Sequence, residues 1–243
     1  MDLTRGLRVE TKRRLAKATL DRPEQLNPFS IEVLEDLRRL LGQWNADPDL
    51  SVVLFTGTGR AFSAGLDVKQ MVNLPPEEKR RVLSLNHEVV RLLLESPKVL
   101  VVANNGFALG MGFITNLCAD FRFAASDAEV YFQLPELDIG LFPATGALSL
   151  PHHHFPPGLA ARLVFACEKL TLEGAISTNF LSGTWPKDEL EGAAVKFCRN
   201  LARKNRDVTS ATKACLVAER AGLLEALEME KRFALRLMGG EET

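Results

Sequence analysis

The sequence predicts an α/β fold, and three observations predict it. Short β-branched and apolar runs alternate with segments of helical spacing through the first two-thirds of the 243 residues. The last third carries helical spacing alone. No composition shift or low-complexity stretch marks a linker. Strand–helix–strand alternation implies right-handed parallel crossovers. The economical reading is one α/β core over residues 1–190 followed by a helical region over 191–243. Hydrophobic residues make up 46% of the chain and charged ones 25%, enough apolar material for a sizeable core and too much for disorder.

Each element has its own signal. Leu7–Glu10 and Leu15–Leu20 read as two strands joined by a charged turn. Asp21–Pro28 is a polar loop, and Ser30 reads as an N-cap. Val33, Leu34, Leu37, Leu40, Leu41 and Trp44 then fall at helical spacing until Asn45–Asp49 breaks the helix. Ser51–Thr56 is a buried strand by its β-branched and apolar content. Gly57–Gly65 reads as a small-residue loop, Asp67–Val72 as a short helix, and Pro75-Pro76 as the start of a helix to about Glu95. Val99–Ala103 is a second buried strand, running through Asn105–Gly112 into a helix that ends at Cys118. Phe121–Ala124 and Val130–Phe132 are short strands. Helices follow over Pro157–Ala166, Thr171–Thr178, Lys187–Arg203, Thr209–Ala221 and Leu223–Met238.

Charge and cysteine usage narrow the function classes. With 30 basic and 31 acidic residues the net charge is −1, so bulk electrostatics give no case for a nucleic-acid partner. No uninterrupted apolar run reaches membrane-spanning length, so no membrane partner is expected. The 4 cysteines lack CxxC spacing, which leaves neither a metal-ligand pattern nor a disulfide framework and fits reduced thiols. The N-terminal residues show no apolar signal region and the C-terminal Gly-Gly-Glu-Glu-Thr no retention signal, so the expected location is cytoplasmic.

Two segments share one design: buried strand, small-residue loop, helix start. The first runs from Val52 through Ala61-Phe62-Ser63-Ala64-Gly65-Leu66-Asp67; the second from Val99 through Asn105-Gly106-Phe107-Ala108-Leu109-Gly110-Met111-Gly112. A helix N-terminus presents unpaired N–H groups and a positive dipole end, and glycine lets a ligand approach that backbone closely. Two such termini converging would form a two-donor anion site suited to an oxygen that gains charge during a reaction. Close helix–sheet packing explains the same glycines. A phosphate loop fits worse, because the Gly-Lys-Ser/Thr ending is absent.

The order of the motifs adds more than the glycines do. Ala61 to Met71 resembles the first signature of the crotonase, or enoyl-CoA hydratase/isomerase, superfamily. Asn105–Gly112 with Cys118-Ala119-Asp120 resembles its second, and Leu134-Pro135-Glu136 to Pro143 its third. Arg22-Pro23 to Asn27 is similar to the family's opening loop. The resemblance is collinear from about Val9 to Pro186. It implies a crotonase-like spiral of ββα units with a helical C-terminal trimerisation region. The implied assembly is a homotrimer or hexamer. The implied substrates are acyl-CoA thioesters; coenzyme A arrives as part of the substrate, and no cofactor or metal is called for. The implied oxyanion donors are the backbone N–H groups of Leu66 and Met111. Gln25, Leu26, Ala64, Asp67, Val68 and Lys69 would bind the CoA portion, with Gly110 and Ile114 beside the acyl group. Met111 departs from the family, which usually has glycine there, but a main-chain donor tolerates that change.

Which reaction follows depends on carboxylates. Family hydratases use two glutamates; here the first position is Ile114, which cannot transfer a proton, and the second is Glu136. One carboxylate is enough to move a proton between two carbons. That pattern resembles the Δ3,Δ2-enoyl-CoA isomerases, so isomerisation ranks first. Enoyl-CoA hydratase ranks second, with Asp138 and Asp120 as the nearest other carboxylates; Asp120 reads as ordering a strand start and Asp138 as facing away from Glu136. A 3-hydroxyacyl-CoA hydrolase ranks third, because Ala144 stands where that branch has an acidic residue. A catalytically idle acyl-CoA-binding member is the reading from another class.

The remaining conspicuous residues read as structural. His152-His153-His154 is expected in a loop rather than around a metal ion. His87 is expected at a surface or boundary, and Trp185 in packing. Arg199–Arg206 is expected to be a solvated helix end. The last helix, with Leu224, Leu227, Phe233, Leu235 and Leu237, is expected to pack on a neighbouring subunit or cover the CoA site.

Overall fold

A strand, a shorter strand and a helix recur three times along the chain, and this repeat builds the core. The computed structural model describes residues 6–239. The expectations for the extreme N-terminus and for residues 240–243 lie outside the described residues. Strands β1 (Leu7–Lys12) and β2 (Leu15–Leu20) form an antiparallel hairpin. A 3₁₀ turn at Pro23–Gln25 leads to α1 (Ile31–Ala46), whose N-cap Ser30 accepts a bond from the Val33 N–H. Such a cap contributes about 1 kcal/mol.

The first repeat is β3 (Val52–Gly57), β4 (Ala61–Ser63), and helices α2 (Val68–Val72) and α3 (Pro76–Leu94). The second is β5 (Val99–Asn104), β6 (Phe107–Leu109) and α4 (Met111–Cys118). The third is β7 (Phe121–Ala125), β8 (Tyr131–Gln133) and a 3₁₀ turn at Leu137–Ile139, continuing to α5 (Ser149–His154) and α6 (Pro157–Phe165). Then come β9 (Leu170–Thr171), α7 (Leu172–Ser177), β10 (Gly183–Trp185), α8 (Lys187–Ala202), α9 (Arg206–Ala218) and α10 (Ala221–Leu237).

Among the described residues the strands form two sheets. The larger runs β1-β2-β3-β5-β7-β10, parallel from β2 onward; the smaller runs β4-β6-β8-β9, parallel except at β9. The first strand of each repeat joins the large sheet and the second joins the small one. This is the spiral of ββα units that the sequence implied. Every residue of β5, and all of β3 but Gly57, is buried, as expected for parallel strands covered on both faces. Helix α8 packs along β3, β5 and β7, so the boundary drawn between residues 190 and 191 falls inside a helix that covers the sheet.

Several expectations need correction. The loops read at Gly57–Gly65 and Asn105–Gly112 each contain a three-residue strand, β4 and β6. Segments that short carry no alternation of their own; they are strands only because they pair with each other. β9 and β10 escaped for the same reason. His152–His154 is the last part of α5, not a loop. His154 is largely buried, with Nε2 against the Leu117 carbonyl at 2.6 Å. Among the described residues no cluster of three metal-ligating side chains exists. His87 is buried at 3% exposure, not at the surface, and pairs with Glu228 of α10 at 2.8 Å. Helix α9 starts at Arg206 rather than Thr209, capped by Asn205. Apart from these corrections, helix α10 lies on α3 and α5 of its own chain, burying Leu227 and Ala234, and keeps Met229, Phe233 and Leu237 exposed. Trp185 is in packing, as expected, edge-on against Phe123 with centroids 5.0 Å apart.

Candidate active site

The site forms where the first two repeats turn from small strand to helix. Gly65 has φ +90° and Gly110 φ +46° with ψ −118°, backbone states that residues with a Cβ rarely adopt. The two glycines also touch. A Cβ built on Gly65 would stand 2.9 Å from the Leu109 carbonyl oxygen and 3.6 Å from Cα of Gly110. A side chain at Gly65 would push the two junctions apart, and one at Gly110 would crowd the Glu136 carboxyl.

Local pairing leaves one donor free at each junction. Leu66 forms a parallel bridge with Phe29, in which the Phe29 N–H donates to Gly65 O (2.8 Å) and the Asp67 N–H donates to Phe29 O (3.0 Å). The Leu66 N–H therefore points away from that partner. Met111 is the first residue of α4, where the helix offers its N–H no acceptor. Among the described residues neither N–H has an acceptor.

Two buried amides lock the junctions together. Asn105 accepts from Gly57 N–H at 3.1 Å and donates to Ala61 O at 2.8 Å and Gly59 O at 3.2 Å. Asn27 donates to Thr58 O and Ala61 O, at 2.8 and 2.9 Å, and accepts from Arg22 N–H at 2.8 Å. Ser63 adds a 2.7 Å bond from its hydroxyl to Asn27 O. All three residues lie inside the sequence motifs, which assign them no role. For Asn105 the signal was its place beside Gly106 in a loop, which does not reveal which carbonyls an amide will reach; Asn27 and Ser63 carry no such signal.

Glu136 arrives from the third repeat. It follows β8, whose Phe132 packs with Phe113 of α4 and with Phe180, ring centroids 5.3 Å apart in each pair. This aromatic contact fixes the strand leading to Glu136 against the helix that begins at Met111. Oε1 of Glu136 lies 3.2 Å from where a Cβ on Gly110 would stand. Glu136 as a residue is half-buried, but Oε2 is shut off from solvent and has no hydrogen-bond partner. Burial raises its pKa from 4.5 to about 7, against a smaller lowering by its own backbone N–H. Ile114 is one helical turn past Gly110, its N–H donating to Gly110 O, and is 2% exposed within the core. Met111 is likewise buried, at 1%, so its side chain packs inward.

The expected CoA-binding residues meet elsewhere. Gln25, Leu26, Ala64, Asp67, Val68 and Lys69 all line one groove of about 1270 Å³, together with Leu66 and Arg22. Asp67 also caps α2 by accepting from Gln70 N–H. Gly110, Met111, Ile114 and Glu136 are not part of that lining. Leu66 belongs to the groove and, through Gly65, adjoins the Gly110–Glu136 cluster. Of the other carboxylates considered, Asp138 is exposed. Asp120 is committed to Lys213 at 2.6 Å, to Arg220 at 3.4 Å and to the Leu100 N–H. Neither joins Glu136.

A spiral of ββα repeats with free main-chain donors at adjoining loop–helix junctions and a buried carboxyl beside them defines an acyl-CoA enzyme of the crotonase type. The chain belongs to the enoyl-CoA hydratase/isomerase family, whose model matches residues 10–238. It is 29% identical over 207 residues to the crotonyl-CoA hydratase of Syntrophomonas wolfei, covering 85% of this chain and 79% of that protein. It is 28% identical over 237 residues to the 2,3-dehydroadipyl-CoA hydratase of Escherichia coli K12, covering 96% and 90%. The crystal structure of an enoyl-CoA hydratase/isomerase from Mycobacterium paratuberculosis superposes with TM-score 0.90 over 99% of this chain and 96% of that one, at 22% identity. The last likeness concerns the fold.

Proposed function

We propose that this enzyme is a Δ3,Δ2-enoyl-CoA isomerase with Glu136 as its single acid–base group. The supporting observation is Glu136, whose Oε1 lies beside Gly110 and whose buried Oε2 has no partner, while the buried Ile114 supplies no second carboxyl. In this reading Glu136, as carboxylate, removes a proton from C2 of a 3-enoyl thioester. The electron pair moves onto the thioester oxygen, which the Leu66 and Met111 N–H groups hold as the dienolate forms. Glu136 then returns the same proton to C4, leaving the double bond between C2 and C3. No water is consumed and no cofactor is needed beyond the CoA carried by the substrate. A pKa near 7 suits a group that must both take and return a proton at neutral pH. The Gln25–Leu26 and Ala64–Lys69 groove holds the CoA portion.

Enoyl-CoA hydratase is the second reading, favoured by the activities named for the Syntrophomonas and Escherichia relatives. One experiment separates the two. The purified protein is incubated with a 3-enoyl-CoA and, separately, with the 2-enoyl-CoA. Isomerisation predicts appearance of the conjugated thioester from the first and little loss of the second. Rapid hydration of the second would overturn the proposal, and release of free CoA would indicate thioester hydrolysis.

A further inference from the structure

The opposite end of the large sheet carries a groove that the acyl-CoA reading does not use. The groove holds about 390 Å³, and its charged lining consists of Lys12 at the end of β1, Arg13 and Arg14 from the β1–β2 turn, and Arg199 and Arg203 from the end of α8. No carboxylate lines it. The two elements are tied together: the Arg14 guanidinium donates to Ala202 O at 2.8 Å and Lys204 O at 3.3 Å. Among the described residues Lys12, Arg13, Arg199 and Arg203 have no ion-pair partner, although the chain as a whole is slightly acidic.

Four acids of the adjoining segments are committed to other cations. Glu10 and Glu191, in the adjoining cleft, both pair with Lys17 at 3.1 and 2.5 Å. Asp49 and Asp207 pair with Arg206 at 3.7 and 3.1 Å. Favourable placement of cations at a helix C-terminus accounts for Arg199 and Arg203. It does not account for three more cations converging on them from another element. Like charges gathered around one concavity repel unless an anion sits between them.

We propose that this groove is a second anion site, taking a compact ligand with two or more phosphate groups. Guanidinium forks match phosphate oxygens two at a time, and the groove is lined by three arginines besides Arg14, whose Nη1 is spent on Ala202 O and Lys204 O; together they offer more donors than a single carboxylate could use. No aromatic side chain lines the groove, so the base stacking that a single-stranded nucleic acid would use is missing. The site is remote from the acyl-CoA groove. The basic turn abuts Leu15, which pairs with Val52 at the start of β3, whereas the other groove abuts the Leu20–Gly57 end. Five residues of strand separate them, roughly 17 Å. The proposal stands whether the enzyme isomerises or hydrates.

The test is calorimetric titration of the purified protein with inorganic tripolyphosphate, with ATP as a second arm. The expected result is saturable binding at one site per chain that weakens as salt is raised. The double variant Arg13→Ser/Arg203→Ser should weaken it tenfold or more while leaving turnover of enoyl-CoA unchanged. Tighter binding of ATP than of tripolyphosphate would identify a nucleotide as the ligand; equal binding would identify the phosphates alone. The proposal fails if no saturable binding is seen, or if the double variant binds normally. It also fails if Lys69→Ser, rather than the double variant, abolishes binding, because the anion then sits in the acyl-CoA groove.

Discussion

Two glutamates with buried carboxyl oxygens, one in the loop after β8 and one on α10, show opposite ways of holding such an oxygen in a protein interior. Glu230 is 4% exposed, and both its oxygens are used: Oε2 accepts from Gly146 N–H at 2.6 Å and Oε1 from Ser149 N–H at 2.8 Å. Burial still raises its pKa, but these bonds and others to the Ser149 region oppose the rise. Glu136 has an oxygen out of reach of water with no donor at all, and its pKa rises to about 7. The first carboxylate pins a helix to a loop. The second is left unsatisfied beside the two junctions where the substrate thioester is proposed to sit. An unsatisfied buried polar group costs about 1–3 kcal/mol, so the fold sustains a loss at Glu136 that it avoids at Glu230.

Substitutions can break this contrast, the largest effect first. Glu136→Gln keeps the shape and removes the proton carrier, so turnover of 3-enoyl-CoA should fall by about 10²–10⁴-fold with the circular dichroism spectrum unchanged. Normal turnover in that variant would end the proposed mechanism. Glu230→Ala leaves the buried Gly146 N–H and the part-buried Ser149 N–H without their acceptors and should cost about 2 kcal/mol in denaturant unfolding. Turnover per folded molecule should survive it. A catalytic loss matching that of Glu136→Gln would erase the distinction drawn between them.

The pH dependence sharpens the same contrast. As a base in the free enzyme, Glu136 must be ionised, so kcat/KM should fall tenfold per unit below about pH 7. A flat profile between pH 5 and 7 (as round assay limits) counts against Glu136 as the base. Stability should move the other way. The folded pKa of about 7 lies above the ordinary 4.5, so the native state holds this proton more tightly than the unfolded chain. The stabilisation is complete below about pH 4.5 and is lost as pH rises through 7. Glu136→Gln escapes that loss. At pH 8 it should be more stable than the wild type by on the order of 2–3 kcal/mol, with the difference shrinking towards pH 5. The smallest effect expected is a gain of function: Ile114→Glu should add slow hydration of 2-enoyl-CoA, measured as loss of the conjugated thioester. Without any hydration, residue 114 is not what separates the two reactions.

Much of the framework was legible in the sequence because its signals are local. Ser30 as a cap, the buried runs at β3 and β5, and the helical spacing of α1 and α3 each need only their neighbours in the chain. The ordered motifs around Gly65, Gly110 and Glu136 identified the family before any geometry was available. β4 and β6 were not legible, because three residues acquire strand conformation only by pairing with a strand from another repeat. His87 was misplaced because its helix has mixed polarity, and only the packing of α10 over it makes it interior.

The sequence by itself determined the strand–helix alternation, the ordered family motifs and Glu136 as the candidate carboxylate. The tertiary structure alone decided that Gly65 and Gly110 touch, that Oε2 of Glu136 has no partner and that five cations from two distant segments face one groove. The physical reason is range. Backbone preference and hydrophobic period act over a few residues. Desolvation, hydrogen-bond satisfaction and charge repulsion depend on which atoms meet after the chain has closed on itself.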